Sequence, residues 1–133
     1  MKTPARILLI DDDPAVLELT GELLGLVGHT VTSVTSADAA LEMIANGETF
    51  DAVITDQSMP GMTGAELILR LRLLVPEMPC LLITGHGENA DVEEGITVLR
   101  KPYRAAHLAA ALADLAPPPD RLAGMRFPTE PQP

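Results

Sequence analysis

The stretch Ile7-Leu8-Leu9-Ile10-Asp11-Asp12-Asp13-Pro14 runs four branched aliphatic residues straight into three carboxylates. A short, continuous apolar run ended by turn formers reads as a strand buried on both faces, as in a parallel sheet covered by helices. Carboxylates crowded at such a low-dielectric edge raise one another's pKa, which is unfavourable unless a cation sits among them. One segment therefore indicates a fold class and poses a chemical question: which cation the cluster holds, and what else that cation touches.

The pattern recurs along the chain. "ARILLI" (5–10), "HTVTSV" (29–34), "DAVIT" (51–55), "CLLIT" (80–84) and "ITVLR" (96–100) read as strands, several of them continuously apolar. Between them, 14–27 places Val16, Leu19, Leu23, Leu26 and Val27 at helical spacing, a leucine face expected to pack on the sheet. Asp13 is a suitable N-cap for that helix and Pro14 suits its first position. A second helix, 37–46, is stopped by Gly47, and a third, 64–75, carries Leu67, Ile68, Leu71 and Leu74 before Pro76 and Pro79. An Ala/Leu-rich helix at 104–116 closes the series. The order is that of a single α/β domain, a doubly wound five-stranded parallel sheet with right-handed crossovers. The polar segment "GHGENADVEEG" (85–95) is too short and acidic for a full helix with its loops, so a shortened or irregular fourth helix is expected there. In 117–133 six of the seventeen residues are proline, and apolar residues are few. The domain is therefore expected over 1–116, followed by a flexible tail.

Charge and composition exclude several functions. A net charge of −10, with Lys and Arg scattered, opposes nucleic-acid binding, and one Tyr, two Phe and no Trp give no stacking platform. No apolar run is long enough to span a membrane, and Asp11 to Asp13 interrupt the first one before it could serve as a signal peptide. The single cysteine, Cys80, lies in an apolar run and reads as a buried, inert thiol. The expected location is the cytoplasm, and the expected state a monomer or weak dimer.

Open α/β sheets bind ligands outside the carboxyl ends of their strands. Those ends carry Asp11, Asp12 and Asp13 after the first strand, Asp56 after the third, Thr84 after the fourth and Lys101 after the fifth. Each is unremarkable alone; together they form a coherent set. Two or three carboxylates with waters suit a hard divalent ion such as Mg²⁺ or Mn²⁺, which favours sites completed by phosphate oxygens. Asp56 could then attack phosphorus as a nucleophile, while the ion, Lys101 and Thr84 meet the charge on the transferring oxygens.

The motifs "ILLIDDDP", "AVITDQSMPGMTGAEL", "LLITG" and "LRKPY" resemble, in order and spacing, those of the response-regulator receiver domains of two-component signalling. The resemblance covers about residues 5–116 and implies a flavodoxin-like fold. It makes Asp56 the phospho-accepting residue, Asp12 a direct metal ligand, Asp11 an assisting one through water, and the Ser58 carbonyl a further ligand. Thr84 becomes the switch hydroxyl, Lys101 the phosphoryl-contacting lysine, and Lys101–Pro102 a cis peptide. The implied donor is a histidine of a kinase or phosphotransfer protein, and the implied role is a signalling receiver rather than an enzyme with its own substrate. Val98 occupies the family's usual aromatic switch position, where a small aliphatic side chain cannot swing as Tyr or Phe does. The short 85–95 segment is similar to that of receivers attached to hybrid histidine kinases. Ser58 and His86 lie where the family tunes hydrolysis of the phosphoryl group.

Two rival readings follow from the same residues. "ILLIDDDPA" with a downstream "LLITG" and lysine also resembles the haloacid dehalogenase phosphohydrolases, with Asp11 as nucleophile and Asp13 as acid/base. That reading leaves Asp56 and "SMPGMTG" without a role. A pseudo-receiver that binds partners without phosphotransfer would lack Asp12, Asp56 or Lys101, and none is missing.

Overall fold

A computed structural model of the chain describes residues 4–85 and 96–115. Its elements are β1 (Arg6–Ile10), α1 (Pro14–Leu26), β2 (Thr30–Val34), α2 (Ala37–Ala45), β3 (Ala52–Asp56), α3 (Gly64–Leu74), β4 (Cys80–Thr84), β5 (Thr97–Arg100) and α4 (Ala105–Ala113). The five strands form one sheet in the order β2-β1-β3-β4-β5, every neighbouring pair parallel. This is the doubly wound arrangement expected from the sequence. The segment expected to hold a shortened helix (85–95) lies, from residue 86 on, outside the described residues, as does the proline-rich tail.

Strand periodicity divides the core in two. Leu8, Ile10, Val53, Cys80 and Leu82 point to the face covered by α2 and α3, against Ala40, Ile44, Leu67, Ile68 and Leu71. Ile7, Leu9, Ala52, Ile54, Leu81 and Ile83 point to the opposite face, against Leu17 and Leu24 of α1 and Leu108 and Leu112 of α4. On the inner strands β1, β3 and β4 both faces are buried, so these strands need apolar residues at successive positions rather than alternate ones.

The inward stripe of α1 differs from the expected one. Leu17, Thr20 and Leu24 are the buried positions, while Leu19 and Leu26 are 60% and 84% exposed. Counting only apolar residues displaced the face, because one of the three inward positions, at i, i+3 and i+7, is a threonine. On α3, Leu67, Ile68 and Leu71 are buried as expected, but Leu74 faces solvent. Asp13 and Ser36 cap α1 and α2 through their side chains, and Gly47 (φ 97°) follows α2 in a conformation unfavourable to other residues.

Cys80 is fully buried, and desolvation pushes its thiol up to about 11 despite the nearby Arg72, so it is inert at neutral pH. His29 is buried, and its Nδ1 accepts the Ala5 N–H at 3.1 Å. His107 Nδ1 accepts the Arg104 N–H at 3.0 Å, at the start of α4.

Candidate functional site at the carboxyl edge of the sheet

Parallel pairing brings the strand ends to one edge. Asp56 pairs with Ile83, and Thr84 pairs with Arg100, immediately before Lys101. Asp11 leaves β1 with its backbone N–H on the Val34 carbonyl at 3.3 Å. Four chain segments thus meet without any of them needing a long loop.

Asp11 and Asp56 are buried, at 6% and 5% exposure, whereas Asp12 faces solvent. One carboxylate oxygen from each of the three lies within 4.8 Å of the others. Lys101 Nζ stands 2.8 Å from Asp56 Oδ1, and Asp56 Oδ2 accepts the Ser58 N–H at 3.1 Å. Asp11 Oδ1 accepts the Asp13 N–H at 3.0 Å within the acidic loop. Asp13 itself is outside the cluster, since its Oδ1 accepts the Ala15 N–H at 3.0 Å as the cap of α1.

Burial holds the Asp11 carboxyl above its usual range, the Asp13 N–H offsets part of that, and the Asp56 charge adds to it. For Lys101, burial works against the charged form. The bond and charge of Asp56, with the charge of Asp11, outweigh it, so the ammonium titrates above the ordinary lysine value. The edge is therefore an acidic cluster carrying one fixed cation on one side. Its donors are all oxygens, which suits a hard divalent cation rather than a thiolate-seeking metal.

Thr84 is fully buried, and its hydroxyl has no hydrogen-bond partner among the described residues. An orphan hydroxyl of this kind costs about 1–3 kcal/mol. Its backbone carbonyl accepts the Lys101 N–H at 2.8 Å, so the two residues are tied although their side chains are not. The Lys101–Pro102 peptide is cis. Val98 is half-buried against the α2/α3 side of the core, so the switch position is filled by a packed aliphatic. Ser58 is exposed, and His86 lies outside the described residues.

Two supporting features had no sequence expectation. Gln57 accepts the Ala65 N–H with Oε1 at 2.8 Å and the Gly64 N–H with its carbonyl at 3.0 Å, fastening α3 to the loop after Asp56. Gly64 is obligatory there: a Cβ would drive into the Asp56 carbonyl and sit 2.7 Å from Leu82 Cδ1. The second feature is a hydroxyl pair, Thr20 Oγ1 and Tyr103 Oη, 2.9 Å apart between α1 and the loop after β5. A threonine on an otherwise apolar inward stripe is the one sequence signal that marked it.

Comparison with known proteins agrees with this geometry. Residues 7–113 match the response regulator receiver domain family. The response regulator protein FleR of Pseudomonas aeruginosa is 39% identical over 73% of this chain, which spans 20% of FleR. The transcriptional regulatory protein FixJ of Bradyrhizobium diazoefficiens is 33% identical over 84% of this chain, which spans 57% of FixJ. Thus the chain covers less than two thirds of either curated relative. Among solved structures, a response regulator receiver domain protein from Clostridium thermocellum superposes with a TM-score of 0.77 at 31% identity, covering 83% of this chain and 92% of that one. The chemotaxis response regulator CheY4 of Vibrio cholerae gives 0.73 at 27% identity, covering 84% and 98%. With its parallel sheet, its acidic edge and these relatives, the chain belongs to the response regulator receiver domain family of two-component signalling.

Proposed function

We propose that this receiver, with residues 1–116 as its working unit, accepts a phosphoryl group on Asp56 from a histidine of a partner kinase or phosphotransfer protein. One observation carries the reading: Asp56 is a buried carboxylate held 2.8 Å from Lys101 inside a cluster of three acidic side chains. Asp11, Asp12, Asp56 and the Ser58 carbonyl are the ligands for Mg²⁺ or Mn²⁺, which supplies charge neutralisation at the phosphoryl oxygens when bound.

Asp56 attacks phosphorus, the P–N bond of the phosphohistidine breaks, and its electron pair returns to the imidazole. Lys101 is placed to pass from the Asp56 carboxylate to a phosphoryl oxygen, and Thr84 supplies an unengaged hydroxyl for another. Satisfying that orphan group only in the phosphorylated state biases the β4 end toward a second conformation, and the surface seen by partners changes with it. The chain thus works as a signalling receiver rather than as an enzyme acting on a separate substrate. The phosphohydrolase alternative needs Asp13 as a free acid/base, whereas Asp13 Oδ1 is engaged at the start of α1.

The test is intact mass after incubation with acetyl phosphate, with and without Mg²⁺, beside Asp56→Asn. The reading predicts one Mg²⁺-dependent, hydroxylamine-labile phosphoryl group that the variant lacks. An adduct that persists in Asp56→Asn would contradict it.

A further inference from the structure

The buried hydroxyl pair between α1 and the loop after β5 has no part in the chemistry above, yet it lies two residues from Lys101. Thr20 is 3% exposed, on the inward stripe of α1 between Leu17 and Leu24. An aliphatic residue would fill that place without the need to satisfy a hydroxyl. Tyr103 packs its ring against the α1/α4 side of the core and places its hydroxyl 2.9 Å from Thr20 Oγ1. With Asp11, Leu17 and Asp56, the two residues also line a small cavity directly behind the carboxylates.

Lys101 is a long, flexible side chain that must stay 2.8 Å from Asp56 although its side chain is 37% exposed. Its backbone is fixed on the β4 side by its N–H on the Thr84 carbonyl. On the other side the first anchor after Pro102 is Tyr103. We propose that Thr20 and Tyr103 are positioning residues: their bond clamps the lysine loop to α1 and so holds Lys101 on Asp56. Because α1 starts at Pro14, capped by Asp13 directly after Asp11 and Asp12, the clamp also ties the lysine to the acidic loop. This rests on the function proposed above for Lys101 in phosphoryl transfer, but the placement of the lysine can be read without any phosphoryl group.

The chain has two lysines, Lys2 and Lys101, so a ¹³Cε-lysine NMR spectrum reports on Lys101 almost alone. In the full chain, the Lys101 Hε pair should be inequivalent and displaced from the signal of Lys2. Thr20→Val and Tyr103→Phe, which remove one hydroxyl each, should bring it toward the free-lysine position. Both should slow phosphorylation by acetyl phosphate about tenfold, as expected for a misplaced reacting group. Thr20→Ser, which restores the hydroxyl, should recover both signals. A role confined to stability would lower the melting temperature and leave the Lys101 signal where it is. That outcome, or an unchanged Lys101 signal in both folded variants, overturns the clamp. A shifted Lys101 signal in a protein that takes no phosphoryl group would uphold the clamp and defeat the proposed function instead.

Discussion

The two ends of the sheet treat charge in opposite ways. At the amino end, the Arg6 N–H donates to Asp51 Oδ2 at 2.8 Å, and its guanidinium lies 4.9 Å from the Phe50 ring centroid and 3.7 Å from Glu48. The Ala5 N–H ends on His29 Nδ1. Every one of these groups has a local partner, and the cluster fastens the starts of β1, β2 and β3 together. At the carboxyl end, two buried carboxylates and an exposed third cluster beside one ammonium, which stands on Asp56, and a buried hydroxyl has no partner among the described residues. Unbalanced charge and an orphan donor are unfavourable in the resting protein, which marks that end as built around something bound or transferred.

The contrast can be broken first at Lys101. Lys101→Met leaves Asp11 and Asp56 buried without their cation. Discounted for the partial exposure of the lysine, this should cost about 1–2 kcal/mol in metal-free buffer. Millimolar Mg²⁺ should recover most of it, as read by urea denaturation with and without the ion. An unchanged midpoint in chelator would mean that the two carboxylates do not need the lysine.

A smaller effect concerns pH. The Asp11 carboxyl is held above its ordinary value of 3.8, so between that value and its raised one the folded chain binds more protons than the unfolded chain. Its contribution to stability is therefore greatest below pH 3.8 and declines as pH rises through the raised value. Relative to Asp11→Asn, the metal-free wild type should lose stability across that window, and added Mg²⁺ should cancel the difference. A wild type that gains stability relative to the variant over the same interval would contradict the assigned sign.

The smallest effect belongs to the other end. Glu48 and Arg6 are each 48% exposed, so Glu48→Gln should change stability by less than about 0.5 kcal/mol and leave phosphoryl uptake untouched. A larger loss would erase the distinction between the two ends.

Much of this was legible in the sequence because parallel sheets use residue types so strictly. Short apolar runs, continuous in β1, β3 and β4, located each strand within a residue or so, and the polar residues after them located the edge where Asp11, Asp56, Thr84 and Lys101 gather. The cap of α1 was readable because Asp13-Pro14 is a strong helix start. The inward face of α1 was not, since an apolar count passes over a buried threonine that is matched by a tyrosine 83 positions away. Nor was His29, whose partner is a backbone N–H and therefore has no residue type to recognise. Gln57 escaped for the same reason, fastening α3 through main-chain donors. Short-range chemistry is written in residue identity, and long-range pairing of single polar groups is not.

The most direct test of the central claim is to locate the phosphoryl group itself. After acetyl phosphate and Mg²⁺, borohydride reduction converts an aspartyl phosphate to homoserine, which peptide mass spectrometry assigns to one position. The account predicts homoserine at position 56 and nowhere else. Homoserine at position 11 would contradict it and transfer the chemistry to the end of β1.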